Sequence, residues 1–145
     1  KLKEFLIISF GGWLLAFNAG MINSTTLSNS KELSTSPMTG ASTGIGVGLG
    51  SGDFILFGQC IGILISHIVG GAISGYFVPN RTFYLGSDYG RIFKAGSLVL
   101  LAASLINLLE PNSIFSYLFA AVSTGIQNGL TSRYSGNILR TTHIS

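Results

Sequence analysis

Charge is what this sequence has least of. Its 145 residues hold eight lysines and arginines and five acids, where a soluble domain of that size carries charge on about a quarter of its positions. The few charges are also bunched. None falls between Glu4 and Lys31, between Asp53 and Arg81, between Lys94 and Glu110, or between Glu110 and Arg133. Neutral stretches of that length match a bilayer's hydrocarbon core, about 30 Å crossed at about 1.5 Å per residue, and fit poorly with a fold surrounded by water. The net charge of +3 is small and the basic residues form no patch, which removes the case for a nucleic-acid surface. Cysteine is nearly absent. Cys60 stands alone in an apolar run, so an intrachain disulfide and a metal site built on cysteine are both excluded. Asp53, Asp88 and Glu110 are isolated at segment boundaries, and Glu4 and Glu32 lie in polar flanks. No nucleophile–base pair or metal-ligand cluster can be read from such spacing. An enzyme is therefore not expected, nor a metal.

What the chain does have is apolar segments of spanning length. Four full spans are predicted near 5–23, 54–77, 92–109 and 113–131. The first follows Lys1 and Lys3, as a secretory signal would, but its apolar run is too long for one. Between the first and second lies the glycine-rich piece Gly40–Gly52, whose uncharged core is too short for an ordinary span. It reads as a short broken or re-entrant helix, tolerated only against protein or a wet cavity; the alternative is one poor, tilted span over Ser34–Gly50. It lacks the Gly-Lys-Ser/Thr trio of a phosphate-binding loop. Glu110-Pro111-Asn112 predicts a tight turn between the last two spans. Tyr76, Phe77, Tyr84, Tyr89, Tyr117 and Tyr134 fall near span ends, as an aromatic belt would. Lysines and arginines precede the first span, occupy the Val78–Lys94 connection and follow the fourth span. The positive-inside rule puts those places on the cytoplasm-equivalent side and the Glu110 turn opposite. The expected fold is an all-α, polytopic membrane helix bundle, a multi-pass protein with the lipid bilayer as its first partner.

The two ends of the chain resemble each other. Ala19-Gly20-Met21-Ile22-Asn23 aligns with Thr124-Gly125-Ile126-Gln127-Asn128, and Thr35-Ser36-Pro37-Met38-Thr39 with Thr141-Thr142-His143-Ile144-Ser145. Because the first and fourth spans are expected to run in opposite directions, the repeat would be inverted. The segment LLAFNAGMIN, the SPMTGAS element with its glycine-rich continuation, the block Gly125–Gly129 and the element RTTHIS at Arg140–Ser145 also carry a family resemblance. The sequence resembles the YoaK-like membrane proteins, a domain of unknown function (DUF1275), over nearly its whole length. The resemblance implies a helical membrane fold and no particular activity. The acid usual in that family near Asn23 and the histidine usual near Pro37 are missing here, so proton- or ion-coupled chemistry at those positions does not carry over. It also implies further hydrophobic helices, so residues 1–145 read as a single transmembrane domain that is part of a longer chain.

Polar groups inside spans are costly and tend to face protein or water. Asn18, Asn23, Gln127 and Asn128 fall at corresponding span ends of the repeat, beside breaks that contain Thr39, Arg140 and His143. Broken helices at a repeat interface are how many transporters hold substrate. These seven residues are therefore the candidates for a polar cavity; amides that merely bond helix to helix are the other reading. His67 sits mid-span, where it can bond to a neighbouring helix, relay protons or ligate a cofactor. Gly58 and Gly62, and Gly71 and Gly75, have the four-residue spacing that lets helix backbones approach closely. The functional expectation is a transporter-like protein for a small polar or anionic solute. The alternative is a non-catalytic accessory subunit of a membrane complex, meeting other membrane subunits through its glycine faces and contacting lipid or pigment.

Overall fold

A computed structural model describes residues 2–27, 38–78 and 87–134. They form five α-helices: α1 (Leu2–Leu27), α2 (Met38–Ser51), α3 (Phe54–Phe77), α4 (Ser87–Leu109) and α5 (Ile114–Tyr134), with no strand among the described residues. The element Thr141–Ser145, with Arg140 and His143, lies outside the described residues, as do Lys31 and Tyr84. By length and composition, α3 and α4 are long and apolar enough to cross a membrane. Of its neighbours, α5 is the more polar, for a reason visible in its packing.

The glycine-rich piece is a separate helix of 14 residues, about 21 Å long, and it starts at Met38 within the Thr35–Gly40 element. Two residues join it to α3. Gly52 takes φ +74°, which a side chain would oppose. Asp53 then caps α3, its carboxylate accepting from the backbone N–H groups of Ile55 and Leu56 at 3.1 and 3.0 Å. The two helices fold back antiparallel, with Gly48 against Phe57, Gly44 against Cys60, and Ala41 in one cluster with Cys60 and Ile63. Thus α2 begins about halfway along α3.

At the other end, Glu110-Pro111-Asn112 is the tight turn the sequence predicts. Asn112 adopts φ +64°, a conformation asparagine tolerates, and its N–H donates to the Asn107 side chain at 3.4 Å. Helices α4 and α5 are consequently antiparallel, Gly96 lying against Ile126. Helix α5 runs parallel to α3, with Gly62 beside Leu118 and Val78 beside Arg133. It is the central helix, packed on both α3 and α4, while α1 touches it only lightly.

The distribution of side chains is inside out for a protein in water. Ser74, Ser123, Thr124, Gln127 and Thr131 are buried, as is His67, whereas Phe10, Trp13, Phe17, Phe54, Ile55 and Leu108 face outward. Apolar groups exposed on this scale are not the habit of soluble monomers. The buried polar stripe is also why α5 is less apolar in sequence than its neighbours.

Two expectations need correction. The closest helix contacts do not run through Gly58, Gly62, Gly71 and Gly75 as a set. Gly58 faces open space, and Cβ atoms added at Gly71 or Gly75 would meet their nearest neighbours at an ordinary 3.8 Å. The tight positions between α3 and α5 are Gly70, Gly125 and Gly129, and those between α2 and α3 are Gly44 and Gly48; an added Cβ at any of them would press on backbone or side-chain atoms of the facing helix. The reason is helical phase: α3 buries Cys60, Ile63, His67, Gly70 and Ser74, a stripe of threes and fours that passes between the two glycine pairs and leaves Gly58 off it. Tyr117 is not part of a belt either. It is 1% exposed, in the core cluster with Ala41, Cys60 and Ile63.

Candidate functional site

Because α1 leans on α5 alone, a cleft opens between α1 and α4 with α5 as its floor. Its volume is about 640 Å³, within the range of small-molecule sites. Asn18 enters from α1, Tyr89, Phe93, Ser97 and Ser104 from α4, and Gln127 from α5, with leucines filling the walls. A second cavity of about 150 Å³ continues along the same three helices, lined by Thr25, Ser104, Asn107, Ser116 and Tyr117 among others. Leu100 and Ser104 line both. From Tyr89 to Asn107 the pair follows α4 for about 27 Å, taking ~1.5 Å per residue.

Three buried side-chain oxygens have no hydrogen-bond partner among the described residues: Gln127 Oε1 and the Tyr117 hydroxyl, on residues that line the two cavities, and Ser74 Oγ, in the seam between α3 and α5. A buried polar atom left so costs about 1–3 kcal/mol. Other hydroxyls of the track are partly engaged: Ser97 donates to the Phe93 carbonyl at 3.0 Å and Ser116 to that of Ser113 at 2.8 Å, which leaves their oxygens able to accept. Tyr89 and Phe93 stack with centroids 6.5 Å apart, forming a flat wall at one end of the cleft. Among the described residues that line the two cavities, none is an acid, lysine, arginine or histidine.

The opposite side of α5 is dry and closed. His67 of α3 faces Thr124 across 3.3 Å. Thr124 donates its own proton to the Ala121 carbonyl at 3.0 Å, so its oxygen accepts from His67 Nδ1–H. Ser123 donates to the Gly96 carbonyl at 2.8 Å and ties α5 to α4. Arg133 donates to the Val78 carbonyl at 2.9 Å, satisfying one of the acceptors that the end of α3 leaves open. His67 therefore makes the interhelical bond that its mid-span position allows. No group of three or more potential metal ligands occurs among the described residues.

Of the seven cavity candidates, the cleft joins two, Asn18 and Gln127. Asn23 and Asn128 are half-buried, each with an interaction of its own. Thr39 is half-buried in the first turn of α2, away from the cleft lining, and Arg140 and His143 lie outside the described residues. Sequence reasoning missed Ser97, Ser104 and Tyr117. The serines had a signal: with Asn107 they stand at intervals of seven and three on α4, one helical face, while Leu98, Leu105 and Leu108 point outward. Tyr117 had none, since a tyrosine one turn into a span reads as an interface anchor.

No curated protein and no solved structure matches the chain. A family model does, over residues 11–145: the chain belongs to the family described as protein of unknown function DUF1275.

Proposed function

We propose that this is a multi-pass integral membrane protein that passes a small polar solute along the track between α1, α4 and α5. The observation that carries the reading is the track itself: two cavities that share Leu100 and Ser104, follow α4 for most of a bilayer's thickness, and are lined by amide and hydroxyl residues among the leucines. Two further features support it. The membrane-length helices α3 and α4 have 22% and 11% of their apolar windows buried, less than the mostly enclosed core helix of a soluble protein would have, which supports the membrane reading. And α1 runs antiparallel to α5, Asn18 sharing the larger cavity with Gln127 and Thr25 the smaller one with Ser116, the direction that an inverted repeat of the two segments would have. On this reading α1, α3, α4 and α5 are the four spans and α2 is the short re-entrant helix, starting near mid-membrane.

The light packing of α1 also favours a second reading. With Phe10, Trp13 and Phe17 all exposed, α1 would suit an accessory subunit whose partner chain covers that face. One preparation separates the two. Purified alone and reconstituted in phospholipid with brominated acyl chains, the protein should show strong quenching of Trp13, its only tryptophan and 78% exposed. Weak quenching would remove the membrane reading. A protein that is stable only together with other chains would promote the accessory role.

A further inference from the structure

We infer that the solute is uncharged, and that it carries neighbouring hydrogen-bond donor and acceptor groups, as a polyol or an amide does. This rests on the reading of the α1–α4–α5 track as a solute path and goes further by naming what can use it.

The argument starts from what the track offers. Its described polar groups are amides and hydroxyls: Asn18, Gln127 and Asn107, with Ser97, Ser104 and Tyr117. None carries a full charge. A carboxylate, phosphate or ammonium brought between these helices would lose its hydration and find no counter-charge there, which in an apolar medium is prohibitive. A neutral hydroxyl or amide loses far less and recovers it from the groups present. Gln127 is the main receiver. Its side chain is buried and its Oε1 is unpaired, and because the residue lines the floor of the larger cavity, a solute meets that oxygen when the amide swings toward the cleft. An amide can turn over and exchange its acceptor for its donor, so its best partner is a group that both gives and takes a hydrogen bond. Asn107, another amide, repeats that demand in the second cavity. Between them, Ser104 belongs to both cavities and hands the solute from one to the other. The walls supply leucine and the Tyr89–Phe93 stack, which suits the carbon face of a small polyol or amide. An anionic solute, which Arg140 and His143 invite in sequence, has no described counter-charge along this path.

Thiol labelling at the junction tests this without knowing the natural solute. In a Cys60→Ala background, Ser104→Cys places a thiol where the two cavities meet. The protein, in phospholipid nanodiscs, is treated with three methanethiosulfonates of similar size, bearing hydroxyethyl, sulfonatoethyl and trimethylammonioethyl groups. Each rate is normalised to the same reagent's rate at Ser51→Cys, an exposed position. The neutral reagent should react at Ser104→Cys at least tenfold faster, so normalised, than either charged one. Gly11→Phe, at a cleft position where an added Cβ meets no atom within 4 Å, should fill the cleft and slow the neutral reagent at least tenfold. A charged reagent that matches or beats the neutral one overturns the neutrality of the solute and leaves the path standing. If all three fail to react while Ser51→Cys is labelled normally, the path itself falls, and the proposed function with it.

Discussion

The two sides of α5 make opposite use of one helix. Toward α3 the backbones meet at Gly70, Gly125 and Gly129, and the polar groups of His67, Thr124 and Arg133 find partners, Ser74 Oγ being the exception in a seam with no room beside it. Toward α1 the same helix looks into a cleft, and Gln127 Oε1 finds none. The lesson is that polarity inside a membrane-type bundle has two meanings, and only the pairing of the groups separates them. A satisfied polar contact between close backbones holds helices together, contributing about 0.6–2 kcal/mol in lipid. An unsatisfied one beside open volume is held ready for something else.

The contrast can be broken most directly at the seam. Gly125→Leu should cost at least ~3 kcal/mol, the upper end for overpacking, because the new side chain presses on the His67 carbonyl and backbone cannot yield. Unfolding by a denaturing detergent would read this. A loss under ~1 kcal/mol would mean that the seam is looser than described. Next in size is His67→Leu, which removes the link to Thr124 and leaves the threonine's accepting site unused; the expected cost is about 1–2 kcal/mol by the same measurement. Asp53→Ala should cost about 1 kcal/mol by stripping the cap from α3, and faster amide exchange at Ile55 and Leu56 would locate the loss.

On the cleft side the sign should change. Gln127→Met removes a buried atom that has no partner, so stability should be unchanged or rise by up to ~1 kcal/mol, while entry of a neutral solute falls. A destabilisation as large as that of His67→Leu would show that Gln127 is a structural amide and erase the distinction between the two faces. Smallest of all, Gly58→Ala should change stability by under ~0.5 kcal/mol, since nothing lies within 4 Å of the new methyl group.

How far the sequence foretold this depends on the residue. The helices were legible because charge-free stretches and a Glu-Pro-Asn turn have one economical reading in a bilayer. The short α2 was legible because its core is too brief to span and too rich in glycine for anything but close contact. The packing glycines were legible in kind and not in phase. Gly70 and Gly71 are adjacent, each stands four residues from another small residue, and only the rotation of α3 against α5 chooses between them. Asn18 and Gln127 could be named from sequence as amides near the ends of apolar segments, although the repeat sets Gln127 opposite Ile22 and not opposite Asn18. Tyr117 could not, since burial of its ring depends on α2 turning back to cover it, and that turn is made by two residues with no periodicity to read.

The parallel pairing of α3 and α5 has a consequence for how the chain is made. On the proposed membrane reading the helices join the bilayer in the order of their synthesis, and α3 first meets α2, through a two-residue turn, then α4, against which it packs little. Its glycine face and the imidazole of His67 wait for a helix that begins only at Ile114. Until α5 arrives, the most polar face of α3 has no mate, and the early product is a hairpin with an open side. Assembly is therefore decided late: the last described helix closes the seam and, by the same movement, lays the floor of the cleft.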